Sequence, residues 1–283
     1  MNIKIIVCCH KQDVMATSDP YYPIQVGKSL SNVHLGIQGD DEGDNISEKN
    51  PSYCELTGMY WAWKNLKNVD YIGLCHYRRY FDFHNQCVWP YPQTSFPTES
   101  FSQLDLSLPP KVIDDLQHGC IVMPKDKSYN YSLHTDYCLN HISDDIKVVA
   151  EVIKENFSEY YDAYVKIMHS NHKLMHYNMF IMSWKEFDKY CTWLFAILSI
   201  VEEKINIDSY NSIQRRIFGY MAERLMNVYV YANNLKLKQY PIIWFNDGNA
   251  YEDNNRIKHL VRRFIYSCSF GFFKLGRWLL IKL

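Results

Sequence analysis

Residues 71–81, YIGLCHYRRYF, constrain the fold more than any other stretch of the sequence. Apolar and aromatic residues around one glycine predict a buried strand, which is followed by His76, Tyr77, Arg78 and Arg79. Open α/β sheets bind ligands at the carboxyl ends of their strands, and guanidinium groups pair well with phosphate oxygens. The segment therefore predicts an α/β sheet with a diphosphate-binding cluster at one strand end. Surface ion pairs are the alternative for an arginine pair in this position.

A helix is predicted immediately before this strand. Asn50 can cap it and Pro51 suits its first position. Leu56, Tyr60 and Trp63 recur at i, i+4 and i+7, which predicts a stripe facing the core. The chain thus reads as a helix-then-strand unit that points at the His-Tyr-Arg-Arg cluster.

Five stretches together resemble a known bacterial family. They are YCELT (53–57), YWAWKN (60–65), YIGLCHYRRYF (71–81), YNMFIM (177–182) and FGYMAERL (218–225). The family was first catalogued as a domain of unknown function and is found in capsule and exopolysaccharide gene clusters. One branch is a galactofuranosyltransferase domain of an O-antigen polymerase. The similarity covers roughly residues 3 to 245.

This resemblance implies a single α/β domain over residues 1–250 with the GT-A-like fold of nucleotide-sugar transferases. It also implies an enzyme that transfers galactofuranose from UDP-galactofuranose, with inversion, to a lipid-linked glycan of a capsule or O-antigen. Because one fold hosts several sugars, a hexosyltransferase with a UDP-pyranose donor is an alternative. A non-catalytic glycan-binding protein of the assembly machinery is a second alternative, from a different class.

Composition fits an intracellular enzyme. The chain has 283 residues, enough for one large core. Its net charge of −1 gives no reason to expect a nucleic-acid partner. Nine cysteines without a framework spacing indicate a reducing compartment. Residues 3–9 are too short for a signal peptide and predict the first strand of the sheet.

Donor-binding candidates come from three places besides the cluster at 76–79. His10 and Lys11 end the first strand, and Gln25 lies in the segment after it, where transferases of this fold carry the uridine. An ordinary strand–loop junction is an equally weighted alternative for these three. Asn178 interrupts an apolar strand predicted at 177–182; such a residue commonly satisfies backbone groups, but the resemblance favours sugar contact.

A metal-independent enzyme is expected. GT-A enzymes usually carry Asp-x-Asp directly after the strand that here reads YIGLC, whereas this chain has His76-Tyr77-Arg78. Fixed cations can neutralise a leaving diphosphate as a metal would. The acidic loop at 39–47 is interpreted as solvated, so no cofactor is expected, although other carboxylates leave a divalent cation possible.

Glu223 is the predicted catalytic base. A helix expected over about 209–233 has a buried stripe made of Ile213, Ile217, Met221 and Leu225. Arg216, Gly219 and Glu223 fall on another face, where the missing side chain of the glycine would leave room for a substrate. An incidental Arg/Glu pair on a solvent face is the alternative, and the resemblance at FGYMAERL favours the site.

Further residues are predicted to contact the acceptor or to support the site. They are Glu55, His134, Asp136, Tyr137, Arg216 and Arg224. The His134-x-Asp136 spacing matches no standard metal site. A long proline-rich loop at 84–110 precedes this region and is typical of acceptor-binding elements or lids.

The last part of the chain, 251–283, is predicted to be a basic amphipathic tail. Residues 256–283 contain seven Lys or Arg and no Asp or Glu, with many Phe, Leu and Ile. No apolar run is long enough to span a bilayer, and the pattern is typical of an interfacial anchor. The expected location is the cytoplasmic face of the bacterial membrane, bound to anionic lipid. A terminal helix packed on the domain is the alternative.

Overall fold

A computed structural model describes residues 1–88 and 91–247, together with the helical positions Val261, Phe264, Cys268 and Phe272. Apart from those four positions, the predicted tail lies outside the described residues. No helix in the described part of the chain is both long and apolar enough to cross a membrane.

Strands and helices alternate along the described chain. The strands are β1 Ile3–Cys9, β2 Tyr21–Gln25, β3 Gln38–Gly39, β4 Tyr71–His76, β5 Arg79–Phe81, β6 Gln93–Phe96, β7 Cys120–Pro124, β8 Lys127–Ser128, β9 Lys173–Leu174, β10 Phe180–Ser183, β11 Lys236–Tyr240 and β12 Ile242–Phe245. The helices are α1 Asn50–Tyr53, α2 Leu56–Asn65, α3 Pro110–Gln117, α4 Leu133–Asn140, α5 Ser143–Asn156, α6 Tyr161–Ser170, α7 Trp184–Lys204 and α8 Ile217–Ala232.

The main sheet has the order β11-β7-β10-β4-β1-β2-β3. Neighbours pair in parallel except β10, which is antiparallel to β4 and β7. β5 turns back from β4 and pairs with β12, which also pairs with β6. The predicted α/β fold and the predicted strands β1, β4 and β7 are confirmed, and the parallel strands bring their carboxyl ends to one edge.

Apolar side chains cover both faces of the sheet. One cluster joins it to α2, α5, α6, α7 and α8, and the other joins it to β5, β12 and α3. Gly73 lies where β4 and β10 pair, and a Cβ there would be 2.9 Å from the Phe180 carbonyl oxygen. A glycine is required at this point of the sheet because the neighbouring backbone leaves no room for a side chain.

Several predicted helices are shorter in the structure. The helix expected from Asn50 breaks at Cys54, whose φ is +51°, into α1 and α2. Tyr60 and Trp63 are only half-buried and both rings pack on Phe195, while Met59 is fully buried. Of the predicted stripe, Leu56 is therefore confirmed as a core residue, whereas Met59 and Ala62 are buried in place of Tyr60 and Trp63.

Three other boundaries also differ from the prediction. The helix expected from 143 to about 168 is divided into α5 and α6 by a short 3-10 turn at 158–160. The last long helix begins at Ile217, which leaves Ile213 62% exposed instead of buried. The strand expected at 177–182 begins at Phe180, because the two residues at 177 and 178 have positive φ.

The acidic loop at 39–47 is not uniformly solvated, contrary to the prediction. Asp40 is fully buried and accepts hydrogen bonds from the backbone N–H groups of Gly27 and Lys28 and from the hydroxyl of Ser47. These donors compensate the carboxylate for its lost hydration. Asp40 thus fixes the loop that follows β2.

Candidate active site

A cavity of about 890 Å³ opens at the carboxyl ends of β1 and β4. It is named here the central cavity. Its lining residues come from β1, the loops after β1 and β4, α1, the 177 segment and the start of α8: Cys8, His10, Val26, Asn50, Pro51, Cys54, Glu55, His76, Tyr77, Arg79, Tyr177, Tyr210, Ser212, Arg215, Arg216, Tyr220 and Glu223. This is the sheet edge at which the sequence predicts ligand binding.

The two adjacent arginines after β4 have different partners. Arg78 places Nη2 2.7 Å from Asp13 and does not line the central cavity. Arg79 lines it, with the guanidinium carbon 4.7 Å from the Tyr177 ring centroid and 5.4 Å from that of Trp244. Arg78 lies in the turn between β4 and β5, whereas Arg79 begins β5, and only Arg79 of the predicted pair lines the cavity.

The histidine and tyrosine of the predicted cluster also line the cavity. His76 Nε2 lies 2.8 Å from the Tyr177 carbonyl oxygen. Burial lowers the pKa of His76, against the opposing charge of Glu55, so the neutral imidazole is favoured. The ring of Tyr77 meets that of His10 edge-on at 5.4 Å, which brings the ends of β4 and β1 together.

Two arginines just before α8 complete a basic wall. Arg215 donates from Nη2 to the Asp208 carbonyl oxygen at 3.2 Å, and Arg216 donates from Nε to the Cys54 sulfur at 3.3 Å. Neither they nor Arg79 forms an ion pair with a carboxylate of residues 1–88 or 91–247. Three guanidinium groups that line one cavity, without carboxylate partners among the described residues, are suited to an anionic ligand.

Glu55 is held by a strained part of the backbone. The Nδ2 of Asn178 donates to Glu55 Oε1 at 2.7 Å and to the Gly219 carbonyl oxygen at 3.1 Å. Cys54, Tyr177 and Asn178 have φ values of +51°, +72° and +52°. Left-handed non-glycine residues cost about 1–3 kcal/mol each and cluster at functional sites, so this strain marks the site independently of its charge.

Glu223 lies at the far wall of the cavity, on α8. Its Oε1 accepts a hydrogen bond from the Tyr177 N–H at 2.9 Å, and Oε2 lies 3.4 Å from Arg224 Nη1. Burial raises the pKa of Glu223, Arg224 opposes this, and the negative charge of Glu55 adds to it. A carboxylate with a raised pKa that faces a cavity is suited to accept a proton.

Behind Glu223, a buried ion pair supports the wall. Arg224 Nη2 lies 3.3 Å from Asp136 Oδ2, and its guanidinium packs over the Tyr137 ring at 5.1 Å. Burial raises the pKa of Asp136, while Arg224 lowers it. These three residues, predicted to contact the acceptor or support the site, lie outside the cavity lining, and Asp136 and Tyr137 contact Arg224, which in turn contacts Glu223.

Four other predicted residues also lie outside the lining of the central cavity. Gln25 is buried, and its amide bonds the backbone of Val33 and Leu35. Lys11 Nζ lies 3.8 Å from Asp13. The His134 ring packs on that of His169, at 4.4 Å between centroids. Asn178, the fourth, donates a hydrogen bond to Glu55, which does line the cavity.

Gly219 serves a different purpose from the predicted one. A Cβ at this position would lie 3.3 Å from both Cβ and Sγ of Cys54. The space beside the glycine is therefore occupied by the protein, and its small size lets α8 approach the strained turn before Glu55.

The cavity residues that were not predicted include the polar side chains of Asn50, Tyr177, Tyr210, Ser212, Arg215 and Tyr220. The adjacent pair Arg215-Arg216 carried a usable signal, because it repeats the arrangement at 78–79. As for metal ligands, residues 1–88 and 91–247 contain no group of three or more His, Cys, Asp or Glu arranged to hold an ion.

The fold matches that of a solved glycosyltransferase. The apo structure of WbbM, a bifunctional glycosyltransferase, superposes with a TM-score of 0.80 at 28% sequence identity. The match covers 89% of this chain and 48% of that chain, so this chain spans about half the length of WbbM. Among curated proteins, none matches the chain significantly.

A family profile described as "Domain of unknown function (DUF4422)" matches residues 4–234. The chain therefore belongs to this family, as its motifs predicted. The motif pair at 53–81 supplies Glu55, His76 and Arg79 to the cavity, and the motif at 218–225 supplies Glu223.

Proposed function

We propose that the chain is a glycosyltransferase of surface-polysaccharide assembly. It transfers galactofuranose from UDP-galactofuranose, with inversion, to a lipid-linked glycan. The observation that carries the proposal is the central cavity itself, in which Arg79, Arg215 and Arg216 face the two carboxylates Glu55 and Glu223. The fold match to WbbM and the family resemblance support the choice of reaction.

The basic wall suits the leaving group. In the proposed reaction the acceptor oxygen bonds to the anomeric carbon while the bond from that carbon to the diphosphate oxygen breaks, and its electron pair leaves with UDP. The three guanidinium groups stabilise the charge that develops on the diphosphate. Since they have no carboxylate partner in the described part of the chain, their charge is available to this ligand.

The carboxylates suit the acceptor. Glu223 takes the proton of the attacking hydroxyl, since its raised pKa gives it the basicity that proton removal needs. Glu55, fixed by Asn178, is placed to accept a hydrogen bond from a sugar hydroxyl. One base and one leaving-group site constitute the minimum for a single-displacement transfer that inverts the anomeric carbon.

Membrane association through residues 251–283 belongs to the same proposal. At 100° per residue, Val261, Phe264, Cys268 and Phe272 fall on one helical face, and the two phenylalanines are 70% and 75% exposed. An exposed apolar face in a segment rich in lysine and arginine favours the surface of an anionic membrane. The proposed location is the cytoplasmic face.

The test is a donor panel with purified protein. UDP release should be fastest with UDP-galactofuranose in the presence of a lipid-linked glycan acceptor, and it should persist in EDTA because cationic side chains replace the metal. Faster turnover of UDP-glucose or another pyranose donor would refute the donor assignment. Loss of activity in EDTA that manganese restores would refute metal independence, and no turnover with any donor would favour a glycan-binding protein.

A further inference from the structure

A second cavity, of about 770 Å³, lies between α6, the C-terminal half of α8 and β11. It is named here the distal cavity. Within the described part of the chain, it shares no lining residue with the central cavity. None of the site residues predicted from the sequence lies in it, so neither the sequence nor the proposed reaction accounts for it.

The distal cavity offers unused polar groups beside an exposed aromatic ring. Tyr231 is 51% exposed on its wall. The side chains of Glu159, Asp162, Tyr231 and Asn234 make no hydrogen bond to another residue of the described chain. Carboxylate, amide and phenol groups can each bond a hydroxyl, and an aromatic face packs on the C–H face of a sugar ring. The combination suits a polyhydroxylated ligand.

The net negative charge of the residues that line this cavity disfavours the binding of anions. Asp126, Glu159 and Asp162 line it together with only one basic residue of the described chain, Lys173. The ammonium group of Lys173 lies 3.3 Å from Asp126 and is largely neutralised by it. A nucleotide or phosphate would meet uncompensated carboxylates here, whereas a neutral glycan would not.

Helix α8 contributes different residues to the linings of the two cavities. Asn227 lines the distal cavity one helical turn after Glu223, a rise of about 6 Å along α8. Asn227 exchanges two hydrogen bonds with the Met175 backbone, at 3.1 and 3.0 Å, while Glu223 accepts from the Tyr177 N–H. The segment from 175 to 177 thus lies along α8 between the two cavities, so the distal cavity adjoins the part of the fold that carries Glu223.

We propose that the distal cavity binds neutral hexose units of the acceptor glycan at a distance from the hydroxyl that reacts. The proposal rests on the proposed function for the identity of the glycan. It predicts a binding site that discriminates between neutral and acidic saccharides, and that is independent of the donor site.

The experiment is a titration of full-length protein with two matched probes, galactotetraose and tetragalacturonate. Binding is measured by calorimetry or ligand-observed NMR. Galactotetraose should bind with a dissociation constant on the order of 1 mM, and tetragalacturonate at least about tenfold more weakly at low salt. Tyr231→Ala should weaken galactotetraose at least about tenfold. Tyr131→Ala, which removes a 41% exposed tyrosine outside both cavities, is the matched control and should leave binding unchanged.

UDP binding is measured on the same preparations. Three results would overturn the distal cavity as a glycan site. They are equal loss of galactotetraose binding in both tyrosine variants, equal affinity for the two probes, and no saturable binding of galactotetraose to a protein that still binds UDP. Galactotetraose binding that is intact in a protein without UDP binding or transfer would instead leave the distal site standing and refute the proposed function.

Discussion

Replacing Glu223 with glutamine is the most direct test of the proposed chemistry. Glutamine retains the shape of the side chain but cannot take a proton, and loss of a general base costs about 10²–10⁴ in rate. At about 1.36 kcal/mol per decade, this is about 3–5 kcal/mol of transition-state free energy. UDP affinity should change little, because the basic wall of the central cavity is untouched.

The structure also predicts a cost in stability. Glu223 accepts from the Tyr177 N–H through Oε1 and faces Arg224 Nη1 through Oε2. A glutamine has only one carbonyl oxygen, so it can satisfy one of these donors but not both. A hydrogen bond to a charged group contributes about 1.5–3 kcal/mol, but Arg224 keeps Asp136 and the Tyr220 carbonyl as partners. The free energy of unfolding should therefore fall by about 1–2 kcal/mol, which leaves a folded protein.

The assay compares initial rates of transfer for Glu223→Gln and Glu55→Gln, with thermal melting and UDP titration as checks of folding and donor binding. Glu223→Gln should lose rate without losing UDP affinity. Near-normal transfer by a folded Glu223→Gln protein, with a large loss in Glu55→Gln, would refute the reasoning and identify Glu55 as the base.

Four further outcomes follow from the site and the tail. Arg79→Ala should weaken UDP binding about tenfold to hundredfold by removing a charge-assisted contact. The control Arg78→Ala should weaken it far less. Equal effects of the two variants in UDP titrations would contradict the assignment of Arg79, and not Arg78, to the basic wall. Activity should fall as the pH drops through the pKa of Glu223, which lies above its ordinary value of 4.5. Glu55→Gln should move this fall in the pH–rate profile to lower pH, because it removes a negative charge that raises the pKa of Glu223. A profile that does not move would show that another group titrates. Gly219→Ala should lower both Tm, by a few degrees, and transfer rate, because its Cβ would press on Cys54 at 3.3 Å; an unchanged melting curve would disprove the close packing. Deletion of residues 251–283 should release the protein from anionic vesicles in sedimentation assays while donor hydrolysis persists, and continued sedimentation would contradict the membrane role of the tail.

The elements that could be predicted are those whose signal is local. Buried strands such as β1, β4 and β7 appear as continuous apolar runs, and α3 is bounded by prolines and a glycine. The break at Cys54 and the turn at Tyr177 and Asn178 could not be predicted, since positive φ in a non-glycine residue is imposed by tertiary contacts. In this chain the two segments meet through the hydrogen bond from Asn178 to Glu55, which joins residues 123 positions apart.

Prediction of the site residues was also limited by contacts between residues that are far apart in the sequence. Glu223, Glu55, His76, His10, Tyr77, Arg79 and Arg216 were predicted and do meet in one cavity. The choice between Arg78 and Arg79 depends on the pairing of β5 with β12, whose residues are more than 160 positions further along the chain. Arg215 was not predicted, and in the structure it lies in the 3-10 turn at 214–216, beside Arg216, and lines the same cavity.

The last two strands bear on where this domain can be cut. The family match ends at residue 234, yet β11 extends the main sheet beside β7, and β12 pairs with β5. Trp244 on β12 packs against Arg79, so a fragment that stops at 234 would lose the contact that supports one side of the basic wall. Expression fragments should therefore keep the chain through Asp247, whose carboxylate accepts the Thr98 N–H. A boundary taken from the family match alone would give a protein with an open sheet edge that is prone to aggregate.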